Sequence, residues 1–192
     1  MSLASDRAEL RALLLSKSVK TGTFTLASGK QSDLYVDCRV TTLDARGAVL
    51  VGRLLHALYL DECARLKVKP QAVGGLTLGA DPLSLSLAMT SALQDSTTDL
   101  VHAYTVRKEP KGHGRGRRIE GNFTPDSPVV VVDDVITTGE STLKAIQAVE
   151  DEGGKVAFVL VLVDRQEGGR ENIQSKGYSV ASLFTRQELL RE

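Results

Sequence analysis

The sequence predicts an α/β fold in which an open parallel sheet is flanked by helices, and three observations lead to this prediction. Four consecutive valines at 129–132 have the length and β-branching of a strand buried on both faces, as strands of parallel sheets are. A second long apolar run occupies residues 156–163. Between the two runs Leu143, Ile146 and Val149 recur at helical spacing, so strands and helices alternate along the chain.

Length and composition are those of a soluble globular protein with a single domain, here residues 1–192, and no linker or internal repeat is visible. Hydrophobic residues make up 42% and charged residues 25% of the chain. The 24 basic and 24 acidic side chains balance, which argues against a general nucleic-acid binder and directs attention to local clusters of charge.

The location expected from the sequence is the cytoplasm. No apolar run approaches the ~20 residues of a membrane helix, and charged residues among the first leucines exclude a secretory signal. Cys38 and Cys63 lie far apart and form no CxxC pair, so neither a disulfide nor a cysteine metal site is expected.

The chain is predicted to begin with an amphipathic helix over residues 5–18, with Ser5 or Asp6 near its start. A turn-rich segment at 21–30 follows, and a short strand at 34–39 comes after it. The inward side chains of the first helix are predicted to be Leu10, Leu13 and Leu14.

Asp44 can cap a long helix that runs to about Leu60. A short strand at 72–75 leads into the loop 76–81, and Pro82 suits the first turn of the next helix. The predicted inward side chains of these two helices are Ala48, Val51, Leu54, Leu55 and Leu58, then Leu83 and Leu87, with Met89 as a further candidate.

In the second half, further strands are predicted at 100–106, 129–132, 156–163 and 180–184, and a short polar helix closes the chain. Gly153-Gly154 has the composition of a helix C-terminus. Ligands of open parallel sheets bind beyond the carboxyl ends of the strands. The residues at the carboxyl ends of predicted strands, and therefore expected at that edge, are Gly74, Gly75, Arg107, Asp133 and Asp164.

The stretch at residues 129–142, VVVVDDVITTGEST, combines a strand, an acidic pair, a loop of small residues and a helix start near Glu140 or Ser141. Unpaired N–H groups and the helix dipole at such a start attract phosphate. The carboxylates of Asp133 and Asp134 repel phosphate but suit hydroxyl groups or a developing cation. A ribose 5-phosphate satisfies both halves, whereas the purely structural alternative is that an acidic residue only caps the turn.

The segment 107–118, RKEPKGHGRGRR, carries six lysine and arginine residues and one glutamate, a formal balance of +5. So dense a charge resists packing, and its glycines leave the backbone free. A solvated surface loop or a nucleic-acid patch would explain the composition. Its position just before the acidic motif favours instead a cationic lid that closes over a pyrophosphate.

Residues 129–142 resemble the phosphoribosyl diphosphate (PRPP) motif of type I phosphoribosyltransferases, and RKEPKGHG at 107–114 resembles the catalytic loop of the orotate phosphoribosyltransferase family. The resemblance extends over nearly the whole chain, through FTLASGKQSDLYVDCR, GGLTLGADP and VDRQEGG. It implies a type I phosphoribosyltransferase fold with a small hood built from the N-terminal segment. It also implies transfer of ribose 5-phosphate from PRPP to orotate, in a homodimer with shared active sites.

The resemblance also implies roles for individual residues. Those implied to contact pyrophosphate are Arg107, Lys108, Lys111 and His113. Those implied to hold the ribose 5-phosphate are Asp133, Asp134, Val135, Ile136, Thr137, Thr138, Gly139, Glu140 and Ser141. Those implied at the orotate site are Thr137, Tyr35, Val36 and Arg165, the last facing the carboxylate. The catalytic set would be Lys111, His113, Asp133 and Asp134, and either Lys111 or His113 could protonate the leaving group.

The sequence departs from the family pattern at three places. Ala27 replaces a lysine found in several relatives, the loop 76–81 lacks a Tyr-Lys pair, and Arg115 replaces a common acidic residue. The pyrophosphate would therefore rely more on backbone amides of residues 75–79 and on the lid.

No HxH or CxxC metal motif occurs, so Mg²⁺ is expected to be held mainly by substrate oxygens. Two alternatives stay open, namely a phosphoribosyltransferase for another base and a non-catalytic PRPP-binding regulator. Neither nucleic acid nor a membrane is expected as a partner.

Overall fold

The structure is a computed structural model that describes residues 2–25, 31–94, 100–109 and 118–191. Within these ranges a six-stranded sheet has the order β5-β4-β3-β6-β7-β8. Its strands are β3 (Ala72–Leu76), β4 (His102–Val106), β5 (Ile119–Gly121), β6 (Pro128–Ile136), β7 (Lys155–Asp164) and β8 (Val180–Thr185). Neighbouring strands are parallel except at one edge, where β5 runs antiparallel to β4. The predicted α/β architecture is confirmed, with an antiparallel edge strand added.

Helices cover both faces of this sheet. One core contains side chains of α1 (Leu3–Leu13), α3 (Ala45–Leu66) and α4 (Ala80–Gln94), and the other contains those of α5 (Glu140–Asp151) and α6 (Gly169–Ser175). The valines of β6 alternate between the two cores, since Val130 and Val132 join the first and Val129 and Val131 the second. The run of four valines is thus buried on both faces, as predicted.

The N-terminal segment forms a separate two-stranded antiparallel hairpin of β1 (Val19–Thr25) and β2 (Gln31–Val36), which we call the hood. A π-helical turn, Leu14–Ser18, joins it to α1, and the short helix α2 (Arg39–Thr42) follows it. The implied hood is therefore present. A further short helix, α7 (Arg186–Leu190), ends the described chain, and its capping box joins Thr185 to Glu188.

Several helix boundaries match the sequence prediction because local chemistry determines them. The carboxylate of Asp44 accepts hydrogen bonds from the amides of Arg46 and Gly47 and caps α3. Helix α5 starts at Glu140, and Gly153 beyond its end has φ +83°. The first helix starts earlier than predicted, at Leu3, because the side chain of Ser2 caps it.

Other elements differ from the prediction. The segment 21–30 was expected to be turn-rich, yet β1 continues to Thr25; residues 26–30, with Ala27, lie outside the described residues. The second strand ends at Val36 instead of Arg39, because α2 begins at Arg39. Helix α3 runs beyond Leu60 to Leu66. Strand β5 and helix α6 were not predicted.

Met89 was a candidate for an inward position but is 57% exposed. It lies on a face of α4 that no described element covers, whereas Leu83 and Leu87 are fully buried as predicted. In the described ranges, no helix is long and apolar enough to cross a membrane.

Candidate active site

The acidic pair, Asp133 and Asp134, lies near the carboxyl end of β6. Contrary to the prediction, it does not follow the strand, because β6 continues to Ile136. Asp133 is 9% exposed, and its Oδ2 accepts a hydrogen bond of 2.6 Å from Oγ1 of Thr142 on α5. Its Oδ1 accepts the amide of Asp134 at 3.0 Å. The carboxylate of Asp133 is thereby held in place by its own strand and by the helix that follows.

Burial makes these carboxylates hard to ionise. Removal from water raises the pKa of Asp133 to about 7, and the neighbouring charge of Asp134 acts in the same direction. Burial also raises the pKa of Asp134, although the guanidinium of Arg39 opposes the shift. The pair therefore retains a proton at a higher pH than two exposed aspartates would.

The phosphate loop, residues 137–141, joins β6 to α5. Gly139 caps the helix in the left-handed region with φ +81°, which glycine adopts without strain. The first-turn amides of α5 have no acceptor within the helix, so they are available to an anion. Thr138, Glu140 and Ser141 are exposed around them. This is the local geometry that the sequence predicted for a phosphate site.

A cleft of about 260 Å³ opens at the carboxyl edge of the sheet between the hood and the acidic pair. The predicted site residues that line this cleft are Tyr35, Val36, Lys108, Asp133, Asp134, Val135 and Ser141. The loop at 76–79 forms another wall. A Cβ on Gly79 would lie 2.6 Å from Oδ1 of Asp134, so only glycine allows this loop to approach the acidic pair.

Asp37 and Arg39 also line the cleft, although neither is among the site residues predicted from the sequence. Nε and Nη2 of Arg39 each lie 2.9 Å from a carboxylate oxygen of Asp37. A signal for them existed, because an acidic and a basic residue two positions apart follow the apolar end of a strand. This signal was missed because the strand was predicted to continue to Arg39, whereas β2 ends at Val36.

The two ends of the basic segment 107–118 are hydrogen-bonded to each other and form a narrow stem. The amide of Arg107 donates to the carbonyl of Arg118 at 2.8 Å, and its guanidinium lies 3.0 Å from Glu120 on β5. Lys108 reaches the cleft from this stem. Lys111, His113 and Arg115 lie outside the described residues.

Arg165 directly follows β7 and is 4% exposed, with Nη2 at 2.6 Å from Oε1 of Glu167. The neighbouring Asp164 pairs with Arg170 at 2.7 Å. The amide of Arg165 donates to the carbonyl of Ile136, which places it beside the end of β6. Its side chain does not line the cleft of about 260 Å³.

Among the remaining selected residues, the side chain of Ile136 is buried in the core, so only its backbone is open to a ligand. Thr137, the first residue of the phosphate loop, is partly buried. A parallel sheet with an acidic pair and a phosphate loop at its carboxyl edge, beneath a hood, defines the class of type I phosphoribosyltransferases.

Comparison with known proteins agrees with this class. The family model described as "Phosphoribosyl transferase domain" matches residues 40–183. The orotate phosphoribosyltransferase of Rhodopirellula baltica is 44% identical over 180 residues, which cover 94% of this chain and 92% of that protein. The chain therefore belongs to the phosphoribosyltransferase family, among the orotate phosphoribosyltransferases.

Solved structures are similar over nearly the full length as well. A crystal structure of Mycobacterium tuberculosis orotate phosphoribosyltransferase with Fe(III) dicitrate matches with a TM-score of 0.80 and 40% identity, covering 96% of this chain and 99% of that one. The structure of the same enzyme in complex with PRPP matches with a TM-score of 0.75 and 36% identity, covering 96% and 98% of the two chains.

Proposed function

We infer that this chain, acting as one domain over residues 1–192, transfers the 5-phosphoribosyl group of PRPP to orotate. The products are orotidine 5′-monophosphate and pyrophosphate, in pyrimidine nucleotide synthesis. The observation that carries this inference is the single cleft lined by the acidic pair, Ser141 of the phosphate loop, Tyr35 of the hood and Lys108 of the cationic stem. PRPP with a flat base placed on the other side of its C1 presents a complementary set of groups.

The reaction breaks the bond between C1 of the ribose and the diphosphate oxygen, while a ring nitrogen of orotate forms a new bond to C1 and loses its proton. Positive charge develops on the ribose ring and negative charge on the diphosphate. Asp133 and Asp134 would hold the ribose hydroxyls and stabilise the cationic ring from nearby. Lys108, together with Lys111 and His113 of the lid, would stabilise the leaving diphosphate, and one of the latter two would protonate it.

The residues of the cleft fit a requirement for Mg²⁺. In the described part of the chain, no cluster of three or more acidic, histidine or cysteine side chains could hold a metal ion alone. Mg²⁺ commonly binds one or two carboxylates together with phosphate oxygens and water. When bound, the ion would neutralise charge on the diphosphate, and the carboxylates that line the cleft, those of Asp37, Asp133 and Asp134, would be available to it or its water.

A homodimer with shared active sites is supported by an apolar face formed by α2 and its C-cap, the loop 76–79 and α4. Its exposed side chains are Val40, Leu43, Leu78, Leu85, Met89 and Leu93. Leu78 and Arg39 border this face and also line the cleft. A second copy seated on it would cover apolar surface that monomers rarely expose, and twofold symmetry would bring each lid close to the other copy's cleft.

A cytoplasmic location is supported by the cysteines, since Cys38 and Cys63 are both free thiols. Burial raises the pKa of Cys38 well above its usual range, which leaves that thiol protonated and unreactive. Small molecules, not nucleic acid or membrane, are the proposed partners.

The deciding experiment is a side-by-side assay of the purified protein with PRPP, Mg²⁺ and one base at a time. We expect loss of orotate with stoichiometric pyrophosphate, and little or no turnover of uracil, adenine or guanine. Turnover of another base in preference to orotate would show that orotate is not the substrate. Binding of PRPP without turnover of any base would support a regulator instead.

A further inference from the structure

Helix α6, which the sequence analysis missed, packs directly against the phosphate loop. Nδ2 of Asn172 donates a hydrogen bond of 2.9 Å to the carbonyl of Thr138. A Cβ on Gly169 would lie 2.4 Å from the carbonyl oxygen of Thr137, so the helix start is in close contact with the loop. Ile173 is fully buried beside Gly139, where an added Cβ would lie 3.1 Å from its Cγ1.

The helix is itself anchored to the sheet through the guanidinium of Arg170. Its Nε lies 2.7 Å from Oδ2 of Asp164, a carboxylate that is 2% exposed at the end of β7. Its Nη1 and Nη2 donate to the carbonyl of Val180 and the hydroxyl of Ser182 on β8, at 2.6 and 2.7 Å. One side chain thus ties α6 to two strands of the core, and α6 in turn supports the loop.

The bond from Asn172 has a geometric consequence for the loop. In a trans peptide the carbonyl of one residue and the amide of the next point in opposite directions. Because the carbonyl of Thr138 accepts the bond from Asn172, the plane of the Thr138–Gly139 peptide is fixed, and with it the direction of the Gly139 amide. A phosphate loop depends on the common direction of its amides, and a freely rotating Thr138–Gly139 peptide would weaken that arrangement.

We propose that Asn172 is a positioning residue that fixes the Thr138–Gly139 peptide, so that the phosphate loop is preorganised for the 5-phosphate of the substrate. This proposal rests on the function proposed above, because it takes the 5-phosphate of PRPP as the ligand of that loop. It assigns Asn172 no contact with the substrate and no part in the chemical step.

The test compares Asn172→Ala with Gln174→Ala, a substitution at an exposed position of the same helix. Ribose 5-phosphate and Mg²⁺-pyrophosphate serve as separate probes in calorimetric titrations. Asn172→Ala should weaken ribose 5-phosphate binding by about tenfold, since one hydrogen bond that orders the loop is lost. Pyrophosphate binding should stay unchanged, the KM for PRPP should rise more than the KM for orotate, and Gln174→Ala should match the wild type.

Unchanged affinity of Asn172→Ala for ribose 5-phosphate would overturn the proposal. So would an equal loss for both probes, since that pattern indicates general damage to the fold. Gly169→Ala, which forces the helix away from Thr137, should reproduce the selective loss if it folds, as judged by circular dichroism. Ribose 5-phosphate titration needs no turnover, so an inactive wild type would refute the proposed function while leaving this measurement interpretable.

Discussion

The hydroxyl of Thr142 donates a hydrogen bond of 2.6 Å to the carboxylate of Asp133 and so joins α5 to the acidic pair of β6. Both side chains are almost inaccessible to water, at 1% and 9% exposure. The donor favours the charged form of Asp133, while burial favours the neutral form and prevails. The protonation state of the acidic pair is therefore coupled to the position of the helix that carries the phosphate loop.

Replacement of Thr142 by Val keeps the shape of the side chain and removes this donor. We expect the acid limb of the kcat/KM profile to move to higher pH by about one unit, because a hydrogen bond to a charged group contributes roughly 1.5–3 kcal/mol. The pH profiles of wild type and variant measure this. Thr90→Val, which removes a hydroxyl bonded to the carbonyl of Ser86 on α4, is the matched control. Coincident profiles for Thr142→Val and wild type would contradict the coupling.

Stability should depend on pH through Asp133. Its pKa is about 7 in the fold against an ordinary value of 3.8, so between these values the folded chain binds a proton that the unfolded chain has lost. The free energy of unfolding should therefore fall as pH rises from about 4 to about 7, by an amount on the order of a few kcal/mol. Asp133→Asn should flatten this slope and stabilise the protein at pH 8, at the expense of turnover.

Denaturant unfolding of the ligand-free protein at several pH values measures the effect. The difference between Asp133→Asn and wild type should be small at pH 4 and largest above pH 7. A difference that is constant over this range would mean that the carboxylate ionises in the fold as it does in water.

Arg165 is the proposed partner of the orotate carboxylate, and a guanidinium can bind a carboxylate through two parallel hydrogen bonds that lysine cannot reproduce. Arg165→Lys should therefore raise the KM for orotate by about tenfold, and by more than the KM for PRPP. Steady-state kinetics with each substrate varied in turn measure both constants.

The competing explanation for Arg165 is structural, because it pairs with Glu167 at 2.6 Å. Glu167→Gln removes the charge of that partner while leaving the guanidinium in place. If Glu167→Gln raised both KM values to the same extent as Arg165→Lys, the structural role would be the correct one.

The lid is proposed to act across a dimer, and subunit mixing tests this. Lys111→Ala should lower turnover on the order of 10²–10³, as loss of an oxyanion donor does. The double variant Asp133→Asn/Asp134→Asn should also be nearly inactive. In a hybrid dimer, one site would combine normal aspartates with the partner's normal lysine, so mixing the two variants should restore activity.

Subunit exchange would be confirmed by mass spectrometry of the mixture. If Lys111 serves its own subunit, every hybrid site keeps one defect and no activity returns. Exchange without recovery would thus reject the shared site.

The motif around β6 could be predicted because its signals are local. The valine run and the helix start at Glu140 depend on neighbouring residues and lie where expected, whereas the acidic pair lies inside the strand, because β6 continues to Ile136. Strand β1 was harder, since it belongs to an exposed hairpin with a register shift between Thr21 and Phe24, and Gly22 reads as a turn. The hydrogen bonds of β1 are made with β2. The sequence of a single strand does not show which strand it pairs with.

Helix α6 escaped prediction for a related reason. Gly168 and Gly169 read as a break, and in the seven residues that follow the break only Ile173 is a buried apolar side chain. The helix is held by the contacts of Arg170 and Asn172 with distant strands and loops, which spacing alone does not reveal. Met89 was misassigned because an apolar residue on an uncovered helix face has the same sequence pattern as one in a core.

The two ends of the described chain are bound to each other. Arg11 on α1 donates to the carbonyls of Glu188 and Leu189 on α7, and the guanidinium of Arg7 stacks 4.4 Å above the ring of Phe184. During translation α1 leaves the ribosome well before its partners on α7, which are synthesised 177 and 178 residues after Arg11. The first helix must therefore wait for α7 before it can dock completely, and a nascent chain stalled short of α7 would leave its arginines without these contacts.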